Sequence, residues 1–258
     1  MSLLAAYVGP PIALQTLLMP ARGRHQYAGF EASNGHHPSG ADGFGFGWFL
    51  NDGPHRYVRT RPVWQDVNVA DLAASLRASV WLTNLQGNAP DGVGMSIGNI
   101  QPFRDEQLLF MHQGFIEGHT RVLLPACLEY LSPQIMDSIQ GHSAGEYLFA
   151  MIRQRLLDPD HLALAPVVQD VLGTLEVSLR DRASVLNLVV SDGRQLLAAR
   201  QATGQDCPPL YFAVEDADFP GAALVASEPL TEGAGWRLIP EHHLLALSSE
   251  GEFRLTRL

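Results

Sequence analysis

Five groups of residues have types or spacing that could do chemistry. His36-His37 and His242-His243 offer imidazoles to a metal. Adjacent histidines rarely share one ion, however, and no cysteine or carboxylate stands beside them at ligand spacing, so no metal is expected. The series Gly43, Gly45 and Gly47 has the composition of a phosphate cradle. Aromatic residues alternate with these glycines and no lysine follows, which fits a glycine-rich strand beside a site better than a phosphate loop. Asn187 lies within an apolar run, where a buried amide bonded to backbone is the expected role rather than catalysis. Ser227-Glu228 resembles a dyad, yet its place at a strand end points to support of a site wall. The cysteines, Cys127 and Cys207, have no partner motif and read as reduced structural residues.

Composition narrows the classes further. All 17 basic residues are arginine, and lysine is absent, which excludes lysine-based catalysis. The arginines are scattered and the net charge is −10, so no nucleic-acid partner is expected. The longest apolar runs, 185–190 and 222–226, fall far short of the roughly 20 residues that span a bilayer, and the start lacks a secretory pattern. A cytoplasmic protein with no membrane partner is the expectation. At 258 residues with 46% hydrophobic content, one domain over 1–258 is expected.

The elements that must position these residues follow from periodicity. Leu3–Val8 reads as a short strand stopped by Gly9-Pro10-Pro11, and the polar stretch 20–43 as a long loop over a site. Phe44–Leu50 and His55–Thr60 form a hairpin around Asn51-Asp52-Gly53. A helix over Val69–Ala78 precedes strands at Val80–Leu85 and Leu108–His112, the latter entering a tight turn at Gln113-Gly114. Apolar residues at three- and four-residue steps mark helices over Leu124–Leu131, Ala144–Leu157 and Val167–Leu179. The rest is strand: 184–191, 195–200, 210–214, 222–227, 236–239, 244–248 and 253–258. Strands flanking a helical block predict an α+β layering of two stacked sheets with helices outside.

Five segments, in order, resemble the class II glutamine amidotransferase family, most closely the ergothioneine-pathway amidohydrolase type that cleaves a γ-glutamyl amide. They are Met1–Gly9, Asp42–Gly47, Pro102-Phe103 with Phe110–Gly114, Leu186–Gly193, and Val225–Leu230 with Trp236. The resemblance covers nearly the whole chain. It implies the four-layer αββα sandwich of N-terminal-nucleophile hydrolases, with two mainly antiparallel sheets and no cofactor.

In that family a cysteine at position 2 attacks the γ-carbonyl, and its own α-amine takes the thiol proton. An asparagine and a backbone N–H hold the oxyanion. An arginine pairs with the substrate α-carboxylate and an aspartate with its α-ammonium. By resemblance the nucleophile position here is Ser2, and the oxyanion position is Gln113 with Gly114. The substrate-binding positions are Gln86 in place of the arginine, His112, and Ala144 in place of the aspartate, with Glu146 as a partial substitute. With Met1 retained, Ser2 has no free amine to act as its base.

The resemblance therefore implies a modified pocket that no longer serves a glutaminase. Phe44, Phe46, Trp48 and Trp81 are expected near it, some of them lining it. The expected occupant is a small-molecule amide or amino-acid-derived ligand, with a protein partner as the further expectation. The alternative reading is an amidohydrolase acting on a γ-glutamyl or other amide, Met1-Ser2-Leu3 being an expression remnant in place of a native nucleophile at position 2.

Overall fold

The computed structural model describes residues 3–19, 42–87, 96–158, 163–233 and 235–258. Ser2 and most of the 20–43 stretch lie outside the described residues.

The first sheet has β1 (Leu3–Ala13) at its centre. On one side lie β4 (Arg77–Gln86), β2 (Gly43–Leu50) and the edge strand β3 (Gly53–Arg59). On the other lie β11 (Ala223–Ala226), β10 (Tyr211–Val214) and β12 (Arg237–Leu238). The second sheet runs β14 (Phe253–Arg257), β13 (His243–Ser248), β8 (Gln195–Arg200), β7 (Ser184–Ser191), β6 (Leu109–Ile116) and the edge strand β5 (Phe103–Arg104). The short β9 (Ala202–Thr203) also pairs with β7. The pairings within both sheets are antiparallel.

Alternation along the strands builds three apolar layers. Leu4, Ala6, Val8, Val80, Leu82, Leu109, Met111 and Val189 point between the sheets and form the inner core. Ala5, Tyr7, Trp81 and Leu85 point the other way, against α1 (Leu14–Leu18) and α2 (Val69–Ser75). Phe110, Leu186, Leu188 and Val190 pack on α3 (His119–Tyr130), α4 (Pro133–Asp137), α5 (Ala144–Leu157) and α6 (Leu164–Ser178). The result is an αββα α+β sandwich.

Several strands run further than expected, β1 and β6 most clearly, and β4 begins at Arg77 where a helix to Ala78 was expected. β1 passes through Gly9-Pro10-Pro11 to Ala13, with its register against β4 shifting between Val8 and Ile12. An irregularity admits prolines into a strand because they need not donate to the ladder there. Likewise β6 does not turn at Gln113-Gly114; it continues to Ile116, with Gln113 opposite Asn187 and Gly114 opposite Leu186. Glycine is needed at 114 for another reason: a Cβ there would stand 2.0 Å from the Val185 carbonyl oxygen.

Phe44, Phe46, Trp48 and Trp81, expected near a pocket with some of them lining it, sit in or against an apolar layer. Phe44, Phe46 and Trp81 belong to the core beneath α1 and α2, and Trp48 packs against it. The glycines between these aromatics face the second sheet instead. A Cβ on Gly45 would lie 2.0 Å from the Gln101 carbonyl oxygen, and one on Gly47 about 3.1 Å from Pro102 Cγ. Side chains removed from this face let the backbone at 101–102 lie directly on β2.

Candidate functional site

The first candidate residue, Gln86, closes β4 on the face that also carries Leu82 and Asn84. It is buried, and both ends of its amide are bonded. Nε2 donates to the Asn99 carbonyl at 3.0 Å. Oε1 accepts from Asn84 Nδ2 at 3.3 Å and from the Gln101 backbone N–H at 3.4 Å.

Gln101 carries the connection to the second sheet. β5 pairs Phe103 with Phe110 and Arg104 with Leu109, so residue 101 would next oppose His112. There the Gln101 side chain takes the place of a backbone ladder. Its Nε2 donates to the His112 carbonyl at 2.9 Å and its Oε1 accepts the His112 N–H. One glutamine thus ties Gln86 to the strand that carries Gln113 and Gly114.

Alternation places Gln113 on the same face of β6 as Met111, and Asn187 opposite it on the same face of β7 as Val189. Asn187 is fully buried; its Nδ2 donates to the Pro208 carbonyl at 3.0 Å and its Oδ1 accepts the Cys207 thiol at 3.6 Å. This is the structural role expected for it. His112 faces away, toward the helices. Its Nε2 lies 2.9 Å from the Val185 carbonyl, which makes that nitrogen the proton carrier. A Cβ on Gly145 would come within 3.1 Å of His112 Cβ. The His112 ring therefore supports the start of α5 and does not face the space between the sheets.

At that helix start, Ser143 Oγ caps the Glu146 N–H at 3.3 Å. Glu146 does not act as a free carboxylate. Oε1 accepts the Gln140 N–H and Oε2 the Gly141 N–H, both at 2.6 Å. Burial pushes its pKa up, against these backbone bonds. Ala144 beside it is buried in the helix-layer core and offers only a methyl group. Both oxygens of Glu146, the expected partial substitute for the ammonium-binding aspartate, are thus engaged by backbone N–H groups. The same loop is fixed to Asn99, whose Oδ1 accepts the His142 N–H at 2.9 Å.

Gln86, Gln113, Gly114 and the α5 start are thus brought to one end of the sandwich, with Asn99 and Gln101 as the connectors. Both connectors escaped the sequence reading. Their only local signal is two polar residues alternating with Ile100 just before Pro102-Phe103. Ser227 stands just past the end of β11, and its Oγ accepts the Leu4 N–H at 3.1 Å near the start of β1.

Among the described residues, no group of three or more His, Cys, Asp or Glu side chains could hold a metal. No helix among them is long and apolar enough to cross a membrane.

Burial pushes the thiols of Cys127 and Cys207 up to about 11, the latter against the nearby Arg200 charge. An acid whose folded pKa is raised supports stability below its unfolded value and loses that support as pH climbs toward the folded one. The ordinary value is 9.0, so these thiols should lower stability only between about pH 9 and 11. A disulfide-exchange reagent at pH 8 should titrate neither thiol in the native protein and both after unfolding. Rapid reaction of one thiol in the native state would contradict this burial.

No protein-family model matches the chain. Over 242 residues, 93% of this chain and 92% of the relative, it is 29% identical to a gamma-glutamyl-hercynylcysteine sulfoxide hydrolase of Mycolicibacterium smegmatis. It is 26% identical over 246 residues, 95% of this chain and 92% of the relative, to a Mycobacterium tuberculosis protein of the same name. Among solved structures, a glutamine aminotransferase class-II domain protein from Silicibacter pomeroyi aligns with TM-score 0.70 and 21% identity over 99% of each chain. Glutamine phosphoribosylpyrophosphate amidotransferase from B. subtilis aligns with TM-score 0.68 and 16% identity, covering 99% of this chain and 49% of that one. The structural likenesses show the fold, and the sequence likenesses run the length of the chain.

Proposed function

We propose that this chain, which has the fold of class II glutamine amidotransferases, no longer works as a glutaminase and keeps a pocket for a ligand without a free α-amino-acid head. The observation that carries this reading is Gln86. At the position where the family resemblance implies an arginine, it supplies no charge, and its amide is already bonded to Asn99, Asn84 and Gln101. A carboxylate brought there would lose water without gaining a bidentate partner. Ala144 supplies no anion for an ammonium, and Glu146 is held by backbone N–H groups. A neutral amide suits such a site better than a zwitterion. A cytoplasmic setting and a protein partner that completes the site belong to the same proposal.

Calorimetry tests the recognition half. Glutamine and glutamate should show no binding tighter than about 100 µM, roughly 5.5 kcal/mol. A tighter constant would mean that another group has taken over recognition, and the reading would fall.

A second reading, hydrolysis of a γ-glutamyl amide, is favoured by the full-length similarity to the two hydrolases. It requires a nucleophile with a free α-amine at position 2. Release of glutamate from γ-glutamyl amides by the Ser2→Cys variant freed of Met1, but not by the Ser2 form, would support it.

A further inference from the structure

The edge strands β3 and β5 lie on the same side of the sandwich, and between them runs a groove of about 1030 Å³. The start of α5 and residues 138–140 form its inner wall. Neither Gln86 nor Gln113 lines it.

Four arginines do. Two are neutralised: Arg59 pairs with Asp66 at 3.2 Å and lies over the Tyr57 ring, and Arg153 pairs with Asp105 at 2.9 Å and lies over Phe149. Arg56 and Arg104 form no ion pair among the described residues. Arg56 Nη1 donates to the Pro102 carbonyl at 3.2 Å, and Arg104 Nη1 donates to the Pro54 carbonyl at 2.9 Å. Each guanidinium thus reaches from its own edge strand to the backbone beside the other, leaving most of its five N–H donors for a ligand. Burial and the Arg104 charge hold Arg56 below the usual arginine value, with Glu146 opposing.

The groove's carboxylates are mostly engaged. Asp52 bonds His55, Asp105 pairs with Arg153, and Glu146 holds two backbone N–H groups. Glu106 remains as an exposed carboxylate at the rim. Two like charges held together with no carboxylate paired directly to either are relieved by a doubly charged group that both can fork onto.

We propose that Arg56 and Arg104 form a binding site for the phosphoryl group of a small molecule, in this groove that neither Gln86 nor Gln113 lines. Inorganic phosphate is the probe. Titrated into the full chain at constant ionic strength and followed through the arginine Nε–H resonances, it should bind saturably, with a constant on the order of 1 mM. Arg56→Gln and Arg104→Gln should each weaken binding about tenfold, as loss of a charged donor implies. Arg104 is exposed, so its variant tests the site without risking the fold. Glu106→Gln should tighten binding, and Arg254→Gln, on distant β14, should leave it unchanged. Non-saturating shifts, or equal affinity in Arg104→Gln and the parent, would overturn the site. Acetate binding as tightly as phosphate would overturn the phosphoryl assignment.

Discussion

Incubated with glutamine, the protein is expected to release ammonia no faster than the uncatalysed background. The family chemistry needs an attacking group with a base, an oxyanion cradle and recognition of both charged ends of the substrate. By the family resemblance Gln113 would keep an amide at the oxyanion position but one methylene out of place, and loss of one such donor costs about 10² to 10³ in rate. Gln86, where the resemblance implies a charged fork, is an amide already bonded to Asn99 and Gln101, and hydrogen bonds to charged groups are worth about 1.5–3 kcal/mol each. Such losses do not add simply, yet all act in one direction. The check is continuous ammonia or glutamate detection with Ser2→Ala as the blank. Turnover on the ordinary enzyme scale of about 1–10³ s⁻¹ that vanished in Ser2→Ala would defeat the expectation.

Gly45→Ala should lower stability by about 3 kcal/mol, the upper part of the range for overpacking a core. Its Cβ would sit 2.0 Å from the Gln101 carbonyl oxygen and 2.9 Å from Val58 Cγ1. The first obstacle is backbone, so it cannot rotate away as a side chain would. Pushing the 101–102 segment off β2 also carries away the Gln101 amide that bonds His112 and the Gln101 N–H that bonds Gln86. Gly47→Ala is the natural control. Its nearest atoms are Leu109 methyl carbons and Pro102 Cγ, at 3.0 to 3.1 Å, and small shifts accommodate it. Thermal unfolding should therefore fall by about 6–12 °C for the first variant and far less for the second. Equal effects would show that the 101–102 backbone is not the constraint.

These expectations depend on features the sequence shows unevenly. The bounds of α5 and of β7 and β8 were legible because their signals are local. Ser143 precedes a three- and four-residue apolar rhythm, and Asp192-Gly193 closes a hairpin in which Asp192 Oδ1 accepts two backbone N–H groups. The direction in which β2 faces was not legible. The alternation of glycine and aromatic was plain, but which side meets the second sheet depends on where Gln101-Pro102 lies. Gly114 misled for a similar reason: it marks a close approach by the Val185 carbonyl, not a turn. At the site, the placements of Gln113 and Gly114 followed from motif order. The engagement of Gln86 and Glu146 did not, since their partners come from loops whose position only the assembled core fixes.

β1 has a consequence for how the chain is made. It is the middle strand of its sheet, yet one of its neighbours, β11, comes from the opposite end of the sequence, with Leu4 bonded to Ser227 across 223 positions. At synthesis rates of about 5–20 residues per second, the first strand waits on the order of ten to forty-five seconds for that neighbour. Until β6, β7 and β8 have emerged, Leu4, Ala6 and Val8 have no opposing sheet to cover them. The nascent chain should thus be a strong client for chaperones that hold extended apolar segments. The first sheet should also close late and all at once, rather than growing outward from its centre.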